Sequence, residues 1–535
     1  MQLRAAGAPP GRGPRPSWLA SINRGSQRAV SKVISALGPW FGTSGVVCLL
    51  ALLAALWAAW RGQALRSARL AYVASCASAL TFWGAFFVRP KAPRLELITA
   101  GPLSDFRVTV FCVGAAWLLL GVLLFALGRK RWTPERVGYW LAFSVLAGMY
   151  LNVVREREVF GDVSDFIYAA QQVVGGQPLH ARYLYPPFLA TLLAPLVRFG
   201  DTTIGLTCLG ANMLAVMFMF VLLRRCLMRY GFVDLAATLL AFCAMAANVA
   251  VLRTLFYVQT NLHVTNLMLL SLLCYPSRLW ASALSLALAA HIKTSPLALV
   301  LPFVINRDWK WLSWFALFGL GIVAWTSHLN GFHRYVEYLD NVTNIYRANG
   351  LSFRENSLDS LMRVSYFVFG LDLDRARKPI LVLRVLLSVL SLWLCIAAMR
   401  RRAFSGGRAE LAGSNAARVH DSYPVLMLFL MSVSPLVWEH HPVIIVLSLL
   451  LMLKRLENQA DALLWLGAWF LCFLTPTFDI YPYAFRITLG VAFAYWLLAR
   501  ITRRESRPGE WFTRANEAFA RIHSDKSSAP PVSSR

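Results

Sequence analysis

Two carboxylates, Asp162 and Asp165, stand in the polar stretch R-E-R-E-V-F-G-D-V-S-D-F, with long apolar runs on either side. A carboxylate in such a loop is a solvated charge or helix cap, or a base that takes the proton from a reacting hydroxyl. Other polar groups interrupt or end the later apolar runs: Tyr185 in Y-P-P, Gln259 and Asn261 in V-Q-T-N, His291 and Lys293 in A-H-I-K, and Glu439, His440 and His441 in W-E-H-H. Ionisable residues at the ends of membrane spans are costly enough that function is their default reading. A carboxylate combined with cationic and imidazole donors suits transfer of a group onto a hydroxyl as an anion departs. The base removes the proton and the cations neutralise the charge that leaves. Bland readings compete: Lys293 snorkels to an interface, His291 is a hydrogen-bonded interior histidine, and Gln259 and Asn261 hold helices together. The adjacent histidines after Trp-Glu also suit a metal, with the loop carboxylates completing the ligand set.

The elements that must position these groups are membrane helices. Of 535 residues, 58% are hydrophobic and only 15% charged, against about a quarter charged in a soluble domain. Apolar runs recur near the length of about 20 residues that crosses a bilayer, and nothing alternates as barrel strands do. The net charge of +27 could mean nucleic acid, but Arg and Lys cluster in short segments between apolar runs, as the positive-inside rule requires. The charge is therefore read as topology, and no nucleic-acid partner is expected. The nine cysteines form no C-x-x-C and nearly all lie within or beside apolar runs, so neither a disulfide framework nor a cysteine metal site is expected.

In chain order, residues 1–41 read as a basic, disordered segment with an amphipathic surface helix over 18–37. Spans are expected at 42–60, 68–88, 108–128 and 134–153. The basic loop 129–136 (R-K-R-W-T-P-E-R) belongs inside, which places the loop 155–185 outside. Later spans at 204–222, 234–251, 261–276, 311–328, 379–398, 423–438, 441–454, 462–477 and 485–500 alternate consistently. The run 283–305 is too long for one helix and is broken at His291–Lys293 and Pro296, reading as two short helices that meet at the outer face. A long outer segment covers 329–378. The rule fails only at the start: either 42–60 does not cross, or the basic N-terminus lies outside.

The motifs also resemble a known family. G-D-V-S-D-F-I-Y-A-A, G-G-Q-P-L-H and Y-L-Y-P-P-F-L-A-T-L-L-A-P-L resemble the opening signature of glycosyltransferase family 87, the polyprenol-phosphate-mannose-dependent α-mannosyltransferases. V-Q-T-N-L resembles that family's Gly-Gln-x-Asn turn, A-H-I-K-T-S-P-L its Lys-x-x-Pro hairpin, N-S-L-D-S-L-M-R-V its Asn-x-Ser-Leu segment, and S-P-L-V-W-E-H-H its Ser-Pro-x-x-Trp-x-His-His segment. The matches come in family order over roughly 150–455. Val258 stands where the turn has Gly, His180 where a Tyr is expected, and the three spans before residue 134 have no counterpart.

The resemblance implies an all-α, polytopic, type C glycosyltransferase-like membrane protein with about 12–15 transmembrane or half-membrane helices and outer-face loops. The expected organisation is the basic segment 1–41, three additional spans in 42–133, the glycosyltransferase core 134–500 and a basic cytoplasmic tail 501–535. It implies an inverting transfer of a hexose, mannose first, from a polyprenyl-phosphate donor to a lipid or glycan acceptor. The setting would be the outer face of a bacterial cytoplasmic membrane. Asp162 is then the catalytic base and Asp165 a second carboxylate. Lys293, His440 and His441 take the donor phosphate, while Tyr185, Gln259, Asn261, His291, Asn356 and Glu439 bind acceptor or sugar. No cofactor or metal is expected. The alternatives are a transporter or lipid flippase, which needs midplane polar groups and internal repeats, and a metal-dependent oligosaccharide transferase of the same fold.

Overall fold

The computed structural model describes residues 162–246, 248–348, 356–368, 371–404, 415–434, 436–474 and 485–504, with 513 and 517. The expected N-terminal segment, the spans before residue 154 and nearly all of the tail lie outside these residues. Among the described residues the chain is helical, with no strand. It begins with α1 (Val163–Val174), α2 (Pro187–Leu193) and the long α3 (Asp201–Arg229). Next come α4 (Asp234–Ala246), α5 (Val249–Phe256), α6 (Asn261–Cys274) and α7 (Leu279–Ile292). A 3-10 turn (Ser295–Val300) leads into α8 (Leu301–Ile305), α9 (Trp309–Asn330), α10 (His333–Ala348), α11 (Leu358–Val368) and α12 (Arg377–Arg401). The last are α13 (Asn415–Val433), α14 (Val446–Met452), α15 (Gln459–Trp469) and α16 (Arg486–Arg503).

Local chemistry sets the ends of these helices. Pro187 opens α2 at a position whose N–H no helix would use. Asn248 caps α5 through the backbone N–H groups of Ala250 and Val251, and Asp308 caps α9 through that of Trp311. Gly331, at φ 85°, ends α9 in a conformation that L residues resist and turns the chain into α10.

Among the described residues three helices, α3, α9 and α12, are long and apolar enough to cross a membrane by themselves. At 1.5 Å per residue, α9 alone reaches about 33 Å, slightly more than a bilayer's hydrocarbon core. The pair α4 and α5 passes the same test as one bent span with a 53° break. The broken run around 283–305 is found as α7, the 3-10 turn and α8.

The centre of the described bundle is α13 with α14. Every residue of α14 is buried, and α13 buries residues all round its axis, as a helix does when enclosed by others. By contrast, α9 presents Trp314, Leu317, Leu320, Trp325 and Leu329 outward, an apolar face suited to lipid.

The two ends of the bundle differ. At one end Lys454 Nζ donates to the carbonyl of Tyr230 (2.7 Å), Tyr230 Oη donates to that of His420 (2.8 Å), and Arg401 donates to that of Arg503. The C-termini of α3, α12 and α16 thus share one basic end. The N-terminus of α3 lies at the other end, where Gln171 donates to Asp201 (2.8 Å), and so does the C-terminus of α9, where Asn330 donates to Thr191 (2.6 Å).

Candidate functional site

Asp162 stands immediately ahead of α1, and Asp165 lies in its first turn. Asp162 Oδ2 accepts a short hydrogen bond from Gln259 Nε2. The same amide accepts at Oε1 from the Tyr185 hydroxyl, at 2.9 Å. Because Tyr185 occupies the oxygen, Gln259 can present only its N–H to Asp162. Asp162 Oδ1 has no hydrogen-bond partner among the described residues. Burial pushes the Asp162 carboxyl above the usual carboxylate range; the Gln259 bond opposes that shift and the nearby Asp165 adds to it.

Two residues beyond Gln259, Asn261 begins α6. Its Oδ1 accepts from Lys293 Nζ at 2.9 Å, and its Nδ2 lies 3.4 Å from the carbonyl oxygen of His440. Lys293 follows the last residue of α7, half-buried. Packing strips water from the ammonium and pushes its pKa down to about 7.

The turn that carries Gln259 is strained. Val258 has φ 51° and is buried, in the left-handed region where a β-branched residue is an outlier. This is the position at which the resembled motif has Gly, the residue that adopts such a backbone without strain. The conformation directs Gln259 toward Asp162 while Asn261 remains against Lys293.

The Trp-Glu-His-His tip lies on the other side of Asn261. Glu439 pairs with Arg253 of α5 at 2.6 Å and with Arg486 at the start of α16 at 3.9 Å. His441 Nδ1 accepts the Trp438 N–H at 2.7 Å, so the neutral ring carries its proton on Nε2. The His440 and His441 rings lie 4.7 Å apart, and His440 also meets the Tyr257 ring edge at 6.1 Å. Burial, reinforced by Lys293 and Arg253, holds the His440 imidazole well below its ordinary pKa. It is neutral near pH 7.

The structure therefore brings Asp162, Tyr185, Gln259, Asn261, Lys293, Glu439, His440 and His441 into one connected cluster. Asp165 stands beside it, and its carbonyl oxygen lies 3.2 Å from His180 Nε2. His291 does not join: its ring faces Phe188 at 6.2 Å and lies against Gly319. Asn356 acts on backbone. Its N–H donates to the Val437 carbonyl (2.6 Å), its carbonyl accepts from Thr488 (2.6 Å), and its Oδ1 lies 3.4 Å from the Ile487 nitrogen. It ties the start of α16 to the chain ahead of the tip.

Sequence reasoning missed Arg253 and Arg486. Both are cations at the edges of apolar runs, the signal that singled out Glu439. Among the described residues no three His, Cys, Asp or Glu side chains converge as a metal ligand set would.

A comparison with protein-family models matches residues 183–419 to glycosyltransferase family 87. Over that stretch, a little under half of the chain, the sequence is similar to the family. A comparison with curated proteins found no match. The matched stretch carries Tyr185, Gln259, Asn261, His291, Lys293 and Asn356, while Asp162, Asp165 and the tip residues 439–441 lie beyond its limits. Hydrogen bonds from Gln259 and Asn261 join Asp162 and His440 to the matched stretch. Among the described residues the chain is all-helical, with helices long and apolar enough to cross a membrane, and the match supports a glycosyltransferase acting on a sugar donor and an acceptor.

Proposed function

We propose that this glycosyltransferase transfers a hexose, mannose first, from a polyprenyl-phosphate sugar to a lipid or glycan hydroxyl, inverting the anomeric centre. We place the reaction at the outer face of a bacterial cytoplasmic membrane. One observation carries the reading: the turn from Val258 to Asn261 holds a half-buried carboxylate through Gln259 and a half-buried cation through Asn261.

The open Asp162 Oδ1 takes the proton of the acceptor hydroxyl as that oxygen attacks the anomeric carbon. The bond from the anomeric carbon to the phosphate oxygen breaks, and the electron pair leaves with the phosphate. Lys293 supplies positive charge for that phosphate, and the Nε2–H of neutral His441 supplies a donor. Inversion follows from a single base with no covalent intermediate. Gln259 and Tyr185 hold the base, while Asn261, Glu439 and Asn356 hold the parts that meet the phosphate. Asp165, beside the cluster, is left to contact acceptor or sugar, a role that the orientation of His291 toward Phe188 does not support.

The outer face is supported by the basic end of α3, α12 and α16 lying away from the candidate site, with the positive-inside rule placing that end in the cytoplasm. The clustering of polar groups at one end of the bundle also favours a transferase over a transporter, whose site belongs near the bilayer midplane.

The test is donor consumption by purified protein in lipid. Polyprenyl-phosphate-mannose should be consumed with release of polyprenyl phosphate, and the product should carry the opposite anomeric configuration. Use of a sugar nucleotide instead, or retention of configuration, would overturn the proposal. Activity should survive chelator; loss with EDTA and recovery with Mn²⁺ or Mg²⁺ would favour the metal-dependent transferase.

A further inference from the structure

Helix α10 is built inside out by the standard of a helix on a soluble protein. Arg334, Glu337, Tyr338 and Asn341 recur at the spacing of one helical face. Arg334 and Tyr338 are 2% and 8% exposed. Phe332, just ahead of the helix, with Val336 and Leu339, forms the opposite face, and these are 62%, 48% and 59% exposed. At about 100° per residue the two sets lie roughly 180° apart. Between them is a polar flank of His333, Asp340 and Asn344, all exposed.

The polar inward face is used entirely for gripping. Arg334 donates to the Gln177 carbonyl and pairs with Glu337 at 3.0 Å. Glu337 accepts the Leu179 N–H at 3.0 Å, and Asn341 donates to the His180 carbonyl at 3.0 Å. The Tyr338 and Thr294 hydroxyls bond to each other, one residue beyond Lys293. The helix thus holds both the 177–180 loop, which touches Asp165 through His180, and the loop that carries Lys293.

We infer that α10 is a membrane-surface helix whose face of Phe332, Val336 and Leu339 lies in the boundary between phospholipid headgroups and acyl chains. A polar inward face leaves no soluble reason for the outward apolar residues, whereas an amphipathic interfacial helix needs them. Continuity identifies the occupant as lipid: α9, whose outward face is apolar, ends at Asn330, and Leu329 leads directly to Phe332. The flank of His333, Asp340 and Asn344 then meets headgroups and water. A second copy of the chain fits worse, because three side chains fall far short of the roughly 20–30 residues a side of a stable interface. The helix sets the height of both loops relative to the bilayer surface. The inference stands on the geometry of α10 and is independent of which residue is the base.

Photocrosslinking of the full chain in phospholipid nanodiscs tests it. p-Benzoylphenylalanine is placed at Val336 or Leu339, with Asp340 and Asn344 as comparison positions, and phospholipid adducts are measured by mass spectrometry. Several-fold more lipid adduct at 336 and 339 than at 340 and 344 is the expected result. Equal or lower lipid adduct at 336 and 339 overturns the inference, as does their crosslinking to another protein chain in place of lipid.

Discussion

Tyr185→Phe isolates how the candidate base is kept ready. The substitution removes one hydroxyl and leaves the ring that packs edge-on against Phe166 at 4.9 Å. In the native arrangement the 2.9 Å bond from Tyr185 occupies Gln259 Oε1, so the amide can offer only an N–H to Asp162. That favours the carboxylate and works against the burial that raises its pKa. Without the hydroxyl the amide can turn over, and its oxygen can accept a proton held by Asp162. A hydrogen bond of this kind contributes about 0.5–1.5 kcal/mol net, which corresponds to roughly 0.4–1.1 pKa units. The sign follows from the role: a base works deprotonated, so raising its pKa removes activity on the acid side and leaves it at higher pH. The acid limb of kcat/KM should therefore move up by up to about one pH unit, with turnover on the plateau little changed. The readout is a pH series of donor consumption under subsaturating conditions. An acid limb that stays in place or moves down would refute the role given to Tyr185. Asp162→Asn, run alongside, distinguishes this from a wrong base: if it keeps near-normal turnover, the assignment of Asp162 fails instead.

The remaining predictions concern the same cluster. Asp162→Asn should lower turnover by about 10²–10⁴-fold with donor binding retained, and Asp165→Asn should cost less; the reverse order, read in the same assay, exchanges the two roles. Because Lys293 is pushed down to about 7 and in the proposed reaction acts when charged, kcat/KM should fall as pH rises through about 7. Lys293→Arg, which stays protonated, should move that alkaline limb upward in whatever activity remains, and an unmoved limb would show that Lys293 does not cause it. Glu439→Gln removes the carboxylate that Arg253 and Arg486 share; the pair is partly buried, so the loss stays below the about 3–5 kcal/mol of a fully buried one, the thermal midpoint should drop, and an unchanged midpoint contradicts the pairing. Val258→Gly relieves a left-handed conformation that costs roughly 1–2 kcal/mol and loses about 0.5–1 in chain entropy, so stability and activity should hold. Val258→Pro cannot adopt φ 51° and should abolish activity; an active proline variant would show that the turn is not needed.

What the sequence determined by itself is local. Helix type and approximate span limits follow from the length and polarity of each run, because in a bilayer every peptide group must be satisfied within its own segment. The expected span at 311–328 is the interior of α9, and that at 379–398 the interior of α12. The break at His291–Lys293 and Pro296 marks where α7 ends and the 3-10 turn begins. Span ends moved where cap residues outlast the apolar run, as α3 does by continuing through Arg224 to Arg229. The polar residues at span ends were legible as a set because charge there is expensive.

Which of them meet was decided by the tertiary structure. Gln259 reaches Asp162 across 97 positions, and Asn261 reaches His440 across 179; such contacts depend on helix packing that no local pattern encodes. The same holds for Arg253 and Arg486, which Glu439 selects from many cations in the chain, and for His291, which the fold turns toward Phe188. The absence of Gly at position 258 was visible in the sequence, but the left-handed backbone that gives it meaning was not. Within the outer segment 329–378, α10 escaped notice for a physical reason. Its apolar residues number few and face outward, so a search for long apolar runs passes over it; its polar face is recognisable only with the two loops it holds.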